Sequence, residues 1–264
     1  MLTRCTDCGH LVRDLDRAPA GHRDLAYGGE PTLDRARLAL TYRAMRRSAP
    51  DGGVRSVFEI GYGTGSLLRR FLDDGAHVAG ADPDQLGLAV DEQVRRHGDL
   101  AHGTVEEIEP GSLEADLVYG VHVLEHVLDP ARTLRVAHDL LRPGGQVQFF
   151  TPAGDSIGPR AYGAAWWMLE DPTHVRFFTA RSAEQALRDA GFTDIEVRRP
   201  LLDSLTTDAG SLARRVSRSV RPHGALGSRA VLAGALATTP AVVAVRAAYP
   251  AARPTLQLIA RRAA

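Results

Sequence analysis

Val57-Phe58-Glu59-Ile60-Gly61-Tyr62-Gly63-Thr64-Gly65 decides how the rest of this chain is read. Residues 54–60, with Val54, Val57, Phe58 and Ile60, read as a buried strand. Glycines at 61, 63 and 65 then let the backbone turn sharply and approach a ligand closely. Residues 64–74 follow as a helix, with Leu67, Leu68, Phe71 and Leu72 inward and Gly75 as its stop. A helix entered this way presents free N–H groups to a ligand, although the same pattern also serves as a tight turn without one. Asp82 adds weight to the ligand reading. It ends the next predicted strand, 76–81, and stands 21 residues after Gly61, the spacing of an acid that grips ribose hydroxyls. Ser66 occupies the place of the last glycine in G-x-G-x-x-G, so the dinucleotide pattern is incomplete.

Outward from this corner, strands and helices alternate. Residues 84–97 read as a helix with Leu86, Val90 and Val94 four apart, 101–104 as a third strand and 115–120 as a fourth. A helix from about 130 to 141, N-capped by Asp129, turns through Arg142-Pro143-Gly144-Gly145 into a fifth strand, 146–151. Upstream, Leu33, Ala36, Leu40 and Ala44 predict a helix over 32–48, broken by Pro50-Asp51-Gly52-Gly53. Residues 1–30 carry little periodic apolar pattern. Downstream, 154–171 read as a loop or lid, 180–190 as a helix capped by Thr179, and 193–199 and 255–261 as strands, with a helical Ala/Arg-rich stretch, 204–250, between them. Such repetition predicts an α/β fold, a parallel sheet with helices on both faces and the ligand beyond the carboxyl ends of the strands.

The decisive stretch resembles the first motif of class I S-adenosylmethionine-dependent methyltransferases of the small-molecule, natural-product or sugar type. Ala81-Asp82-Pro83-Asp84 is similar to their ribose-binding motif. Ala115-Asp116-Leu117-Val118-Tyr119-Gly120-Val121-His122-Val123-Leu124-Glu125-His126-Val127 resembles their fourth strand and following loop, and Leu140-Leu141-Arg142-Pro143-Gly144-Gly145 their post-helix turn. These matches cover about residues 54–152 in the family's order. The resemblance implies a Rossmann-like seven-stranded methyltransferase sheet. Around it the chain divides into an N-terminal extension (1–31), a cofactor-binding core (32–200), a basic helical insertion (201–254) and a final core strand (255–264). It also implies S-adenosylmethionine as cofactor, a nucleoside without a pyrophosphate, in keeping with the incomplete glycine pattern. On the family's plan Gly61, Gly63 and Gly65 pack against its methionine portion and ribose, and Glu59 supports the loop. Asp82 and Pro83 hold the ribose side, and Thr104 and Val105 lie near the adenine. Gly120 and His122 line the floor beneath the transferred methyl. Tyr62 either touches cofactor or substrate or is an exposed loop side chain.

Methyl transfer needs a positioned acceptor and, where the acceptor carries a proton, a base. His122, Glu125 and His126 fall at i, i+3 and i+4, one face of a helical turn, and either contact substrate or cap the loop. The segment spells the H-x-x-E-H of a zinc protease, but it follows a methyltransferase-like strand. Some quinone-pathway methyltransferases bind a divalent metal at an acidic version of this stretch. His174, in Glu170-Asp171-Pro172-Thr173-His174-Val175-Arg176-Phe177-Phe178-Thr179, is the first choice of general base, because this segment is similar to one that faces the acceptor in related enzymes. Tyr162, Trp166 and Trp167 either wall an apolar acceptor pocket or fill core.

Cys5-Thr6-Asp7-Cys8 with His10 resembles half of a small zinc ribbon, and Asp24-Leu25-Ala26-Tyr27 fits the linker that follows such ribbons. A structural zinc wants four ligands, with His10 or His22 as the remaining candidates, so Cys5 and Cys8 are metal ligands or a remnant. All 32 basic residues are arginine, which excludes a Schiff-base or P-loop lysine. Formal net charge is zero, yet from Ser204 onward nine arginines face one acid, Asp208. That basic tail is a solvated surface or attracts an anionic partner: a phosphorylated or carrier-bound small molecule, or a membrane surface met peripherally. Its near-absence of aromatics argues against nucleic acid. Sixteen uncharged residues, 230–245, fall short of the ~20 needed to span a bilayer. With no apolar leader, the expected location is cytoplasmic.

The expectation is therefore methyl transfer to an oxygen, nitrogen or carbon of a small molecule in specialised metabolism or glycan biosynthesis. Its rivals are a nicotinamide oxidoreductase, a partner subunit that kept the fold, and an S-adenosylmethionine-binding enzyme of another reaction such as a cyclisation.

Overall fold

The computed structural model describes residues 2–16, 31–49, 53–83, 87–109, 111, 113–216 and 228–264. His22, the linker 24–27, the breaker residues 50–52, Asp84, Leu86, Arg218 and Arg221 lie outside the described residues, as does the side chain of Leu33. In chain order the elements are β1 (Leu2–Arg4), β2 (Leu11–Arg13), α1 (Pro31–Arg47), β3 (Ser56–Ile60), α2 (Ser66–Asp73), β4 (His77–Asp82), α3 (Glu92–His97), β5 (Asp99–His102), β6 (Ala115–Val121), α4 (Pro130–Asp139), β7 (Leu141–Pro152), α5 (Gly158–Tyr162), β8 (Arg176–Phe177), α6 (Ala180–Asp189), β9 (Thr193–Arg198), α7 (Thr207–Val216), α8 (Arg229–Ala248) and β10 (Thr255–Arg261).

The chain forms two compact units. One comprises Tyr42–Thr151, Ser182–Arg198 and Gln257–Ala264. It carries the seven-stranded sheet, ordered β5-β4-β3-β6-β7-β10-β9. β3 runs parallel to both β4 and β6, β6 runs parallel to β7, and β9 lies antiparallel to β10. This mixed sheet with helices around it is the Rossmann-like architecture the sequence predicts. Residues 57–60 and all of β6 are buried, as expected of largely apolar strands in a sheet covered on both faces, with Glu59 and Asp116 as their buried acids. α2 starts at Gly65, whose φ of 70° is left-handed, and turns Leu67, Leu68 and Phe71 inward. The Phe71 ring lies 5.4 Å from that of Tyr119. Asp116 aligns the starts of two central strands by accepting from the N–H of Arg55 at 2.7 Å and of Ser56 at 2.9 Å.

The second unit comprises Met1–Thr41, Pro152–Arg181 and Arg199–Leu256. Its three-stranded sheet is ordered β1-β2-β8 and is antiparallel throughout. Leu11, Trp166, Met168 and Phe177 form its apolar cluster.

Four local readings change. The hairpin β1–β2 arises where no pattern is legible, because strands of three residues are too short to show a period of two. α3 begins late, because Asp91 accepts from the N–H of Gln93 and Val94 and caps the helix there. Residues 154–171 hold α5 and two 3-10 turns instead of an irregular loop. α8 takes in Arg229 and Arg246, so at 20 residues and a mean hydropathy of 1.6 it is long and apolar enough to cross a membrane by length and composition. At the start of α6, Asp155 accepts from Ala180 N–H at 3.0 Å, while the Thr179 hydroxyl donates to Cys8 O at 2.7 Å.

Candidate cofactor and acceptor site

The glycine loop leaves the carboxyl end of β3 with Gly61, Gly63 and Gly65 all at positive φ (74°, 51° and 70°). L-residues rarely adopt this region, so the sequence can make the loop only with glycine. A Cβ on Gly61 would stand 2.8 Å from Val123 Cγ2. The loop after β3 therefore packs directly on the loop after β6. Asp82, at the end of β4, accepts from Gly63 N–H at 2.8 Å and ties the loop to the neighbouring strand. Pro83 and Thr104 are exposed, and Val105 is buried in a 3-10 turn. A Cβ on Gly120 would stand 2.9 Å from Phe149 Cε1, so only glycine fits that position.

Tyr62 is not an exposed loop side chain. It is 3% exposed, and its ring occupies the space a Cβ on Gly80 would need, 3.0 Å from Tyr62 Cδ1. Its ring packs beneath the loop.

Glu59 is buried, and Tyr119 Oη donates to its Oε2 at 3.0 Å. Burial pushes its carboxyl well above the ordinary value of 4.5, and hydrogen bonds from Tyr119 and Leu68 N–H offset this only in part. A carboxyl whose pKa is higher folded than unfolded keeps its proton longer in the native state. Its contribution to stability therefore falls as pH rises above the unfolded value. Urea unfolding from about pH 4 to about pH 8 is expected to show wild type losing stability relative to Glu59→Gln. Parallel curves for the two proteins would contradict the shift.

Residues 122–127 form a turn, not the regular helix that i, i+3, i+4 spacing suggests, yet His122 and Glu125 still meet. His122 takes φ +57°, unusual for a residue with a Cβ and a conformation that collects at functional sites. Its Nδ1 lies 2.8 Å from Glu125 Oε1. Glu125 is fully buried, and its Oε2 accepts from Thr151 Oγ1 at 3.0 Å. With Glu125 as the acceptor, Nδ1 carries the proton and Nε2 is the nitrogen that can take one. His126 N–H donates to Val123 O at 2.9 Å, closing the turn, and its ring is half-buried.

In the second unit His174 is buried, with Nδ1 2.6 Å from Met168 O. A carbonyl also only accepts, so this bond fixes the same tautomer. Asp171 Oδ2 lies 3.8 Å from Nε2. Trp166 is fully enclosed, its ring 4.8 Å from that of Phe177, so it fills core instead of walling a pocket. Trp167 is half-buried, with its N–H donating to Ser211 Oγ at 2.9 Å. Tyr162 Oη donates to Asp208 Oδ1 at 3.0 Å. Burial and Asp208 push its phenol up to about 12, which makes it a hydrogen-bonded strut at neutral pH.

Cys5 and Cys8 are free thiols in the β1–β2 turn, where Cys5 N–H donates to His10 O at 2.8 Å. The imidazole of His10 packs edge-on to Phe178, and burial followed by the Arg176 charge drives its pKa down to about 4. Among the described residues no third His, Cys, Asp or Glu joins the two thiols at ligand distance. In the sheet unit a polar cleft of about 270 Å³, lined by Arg47, Gln146, Glu196 and Arg198 among others, opens near the start of the β7 pairing. It lies away from the carboxyl ends where the glycine loop sits.

A family model described as a methyltransferase domain matches residues 33–197, more than half of the chain. The chain belongs to the class I S-adenosylmethionine-dependent methyltransferases. The methyltransferase is 37% identical over 169 residues to a ubiquinone biosynthesis O-methyltransferase of Ruegeria pomeroyi, a match covering 58% of this chain and 66% of that relative. It thus spans just under two thirds of that protein's length. It is 30% identical over 200 residues to a protein of the same name from Cereibacter sphaeroides, covering 69% of this chain and 79% of the relative. Phosphoethanolamine N-methyltransferase 2 of Haemonchus contortus, solved with S-adenosyl-L-methionine, shares its fold at a TM-score of 0.59 and 19% identity, covering 92% of this chain and 55% of that one.

Two polar partners in the methyltransferase site escape sequence reading. Tyr119 sits in a wholly buried strand, and a buried phenol needs an acceptor, so its presence was the available signal for Glu59. Thr151, which holds Glu125, carries no such signal, because a threonine ending a strand is ordinary.

Proposed function

We propose that this methyltransferase moves a methyl group from S-adenosylmethionine to a hydroxyl oxygen of a small molecule, with His122 as the group that takes the proton. The observation that carries the reading is the contact of the glycine loop with the loop after β6. It sets the Asp82-anchored cradle beside the His122–Glu125 pair, at the ends of adjacent parallel strands. Oxygen is favoured over nitrogen or carbon because the quoted relatives are named O-methyltransferases, and their names also favour a quinone-like acceptor over a glycan. On this reading residues 32–200 and 255–264 form the core, and 201–254 an insertion.

The cradle suits the cofactor: glycine-only backbone leaves space at Gly61, Gly63 and Gly65, and Asp82 offers a carboxylate toward ribose hydroxyls. When bound, S-adenosylmethionine supplies a sulfonium methyl, and the carbon–sulfur bond breaks as the carbon–oxygen bond forms. His122 Nε2 accepts the acceptor's proton. Glu125 holds the ring in the required tautomer and stabilises the charge it gains, and Thr151 holds Glu125. A hard divalent ion would want several oxygen ligands, and the His122-Glu125-His126 stretch offers one carboxylate whose oxygens already bind His122 and Thr151.

His174 is the second candidate, because the Met168 carbonyl sets the same tautomer. Comparing His122→Ala with His174→Ala decides between them. The variant lacking the base should lose about 10²–10⁴ in kcat while its affinity for S-adenosylmethionine stays within a few-fold. It should also lose the histidine limb of the pH profile. Full turnover in His122→Ala would remove that residue from the role.

A further inference from the structure

We propose that α8 lies in the surface plane of an anionic lipid bilayer and attaches the enzyme to it as a peripheral membrane protein. A helix this apolar is usually the core of a soluble protein, but only 11% of its most apolar window is buried. Its solvent face is a stripe stepping alternately three and one residues from Ala233 to Ala248, through Leu236, Pro240, Ala241 and Val245. Every residue on that stripe is apolar, and Leu236 is 56% and Val245 50% exposed. α7, which packs against α8, adds Leu212 and Val216 four residues apart, and both are exposed. Polar contacts lie on the opposite side. Arg246 is buried there and donates to the carbonyls of Asp203 and Ser204 and to Asp208.

The same contacts tie the end of α8 to the segment that precedes α7. Arg246, near that end, binds Asp203 and Ser204, and Arg253, beyond α8, donates to Arg199 O at 3.0 Å. A helix held along its unit in this way, with its apolar face outward, is arranged to lie in a bilayer surface.

Charge chooses the occupant. From Ser204 onward there are nine arginines and one acid, and that acid, Asp208, is already paired with Arg246. Seven of these arginines, Arg214 to Arg253, lie in the same unit as α8, and against the single acid they leave an excess of six positive charges. An apolar helix face within so basic a segment matches a bilayer carrying acidic headgroups, whereas a second copy would bring charge of the same sign.

Sedimentation of the full chain with phosphatidylcholine vesicles and with vesicles also containing phosphatidylglycerol tests this. Binding is expected to be at least about tenfold tighter to the anionic vesicles and to weaken with salt. The Leu236→Asp/Val245→Asp variant should lose about tenfold or more in partitioning, while its circular dichroism and its affinity for S-adenosylmethionine remain those of wild type. As an independent readout, tryptophan in Leu236→Trp should shift its emission to the blue on adding anionic vesicles. Failure to partition on either vesicle would overturn the proposal. So would unchanged binding by the double aspartate variant, or a blue shift that follows protein concentration without lipid, which would make a second copy the occupant.

Discussion

Replacing Asp82 with alanine is expected to weaken S-adenosylmethionine binding by about 10²–10⁴, two charge-assisted hydrogen bonds at roughly 1.5–3 kcal/mol each. The side chain has two roles in this reading. One carboxylate oxygen holds Gly63 N–H at 2.8 Å and so sets the loop; the group also faces the place of the ribose hydroxyls. Alanine removes both at once. Asparagine keeps a carbonyl that can accept from Gly63 and should cost distinctly less, so the pair of variants separates anchoring from ligand contact. Calorimetric titration with S-adenosylmethionine and its demethylated product measures this directly. Unchanged affinity in Asp82→Ala would sink the ribose assignment and, with it, the cradle.

Asp208→Ala should be strongly destabilising. Arg246 is 1% exposed, and its guanidinium is satisfied by two backbone carbonyls, at 2.8 and 3.1 Å, and by Asp208 at 3.0 Å. Removing Asp208 leaves a buried cation without a counter-charge and takes the acceptor from Tyr162 Oη as well. Breaking a buried pair costs about 3–5 kcal/mol, and the lower end applies because the Asp208 side chain is 33% exposed. A loss of about 3 kcal/mol corresponds to a fall in melting temperature of roughly 6–12 °C, read by calorimetry. Arg246→Met in the Asp208→Ala background should recover part of this, because an apolar side chain at a buried site needs no partner. A single variant that melts like wild type would show that the pair is not structural.

The core of the sheet was legible because its signals are local. β3, the glycine loop, α2 and β4 occupy consecutive residues, and burial on both faces leaves short, mostly apolar strands that can be read without their neighbours. Asp129 and the Pro143-Gly144-Gly145 turn were legible for the same reason: Asp129 accepts from Arg132 N–H at 3.0 Å, three residues away. Misreadings fall where competition is local or the element is short. Asp91 displaced the start of α3, and the strands of the β1–β2 hairpin are below the length at which alternation can be seen.

What the sequence by itself determined is the order of strands and helices, the glycine-only loop, the acid after β4 and the excess of arginine near the C-terminus. Each depends on backbone conformation, short-range periodicity or simple charge, all of which are properties of neighbouring residues. Tertiary structure alone decided that Tyr62 and Trp166 are buried and that Glu125 links His122 to Thr151, 26 residues away from it. It alone decided that one of the nine arginines is buried while the apolar helix carrying it faces solvent. Burial and hydrogen-bond partnership are relations between segments distant in sequence, and no pattern within either segment encodes them.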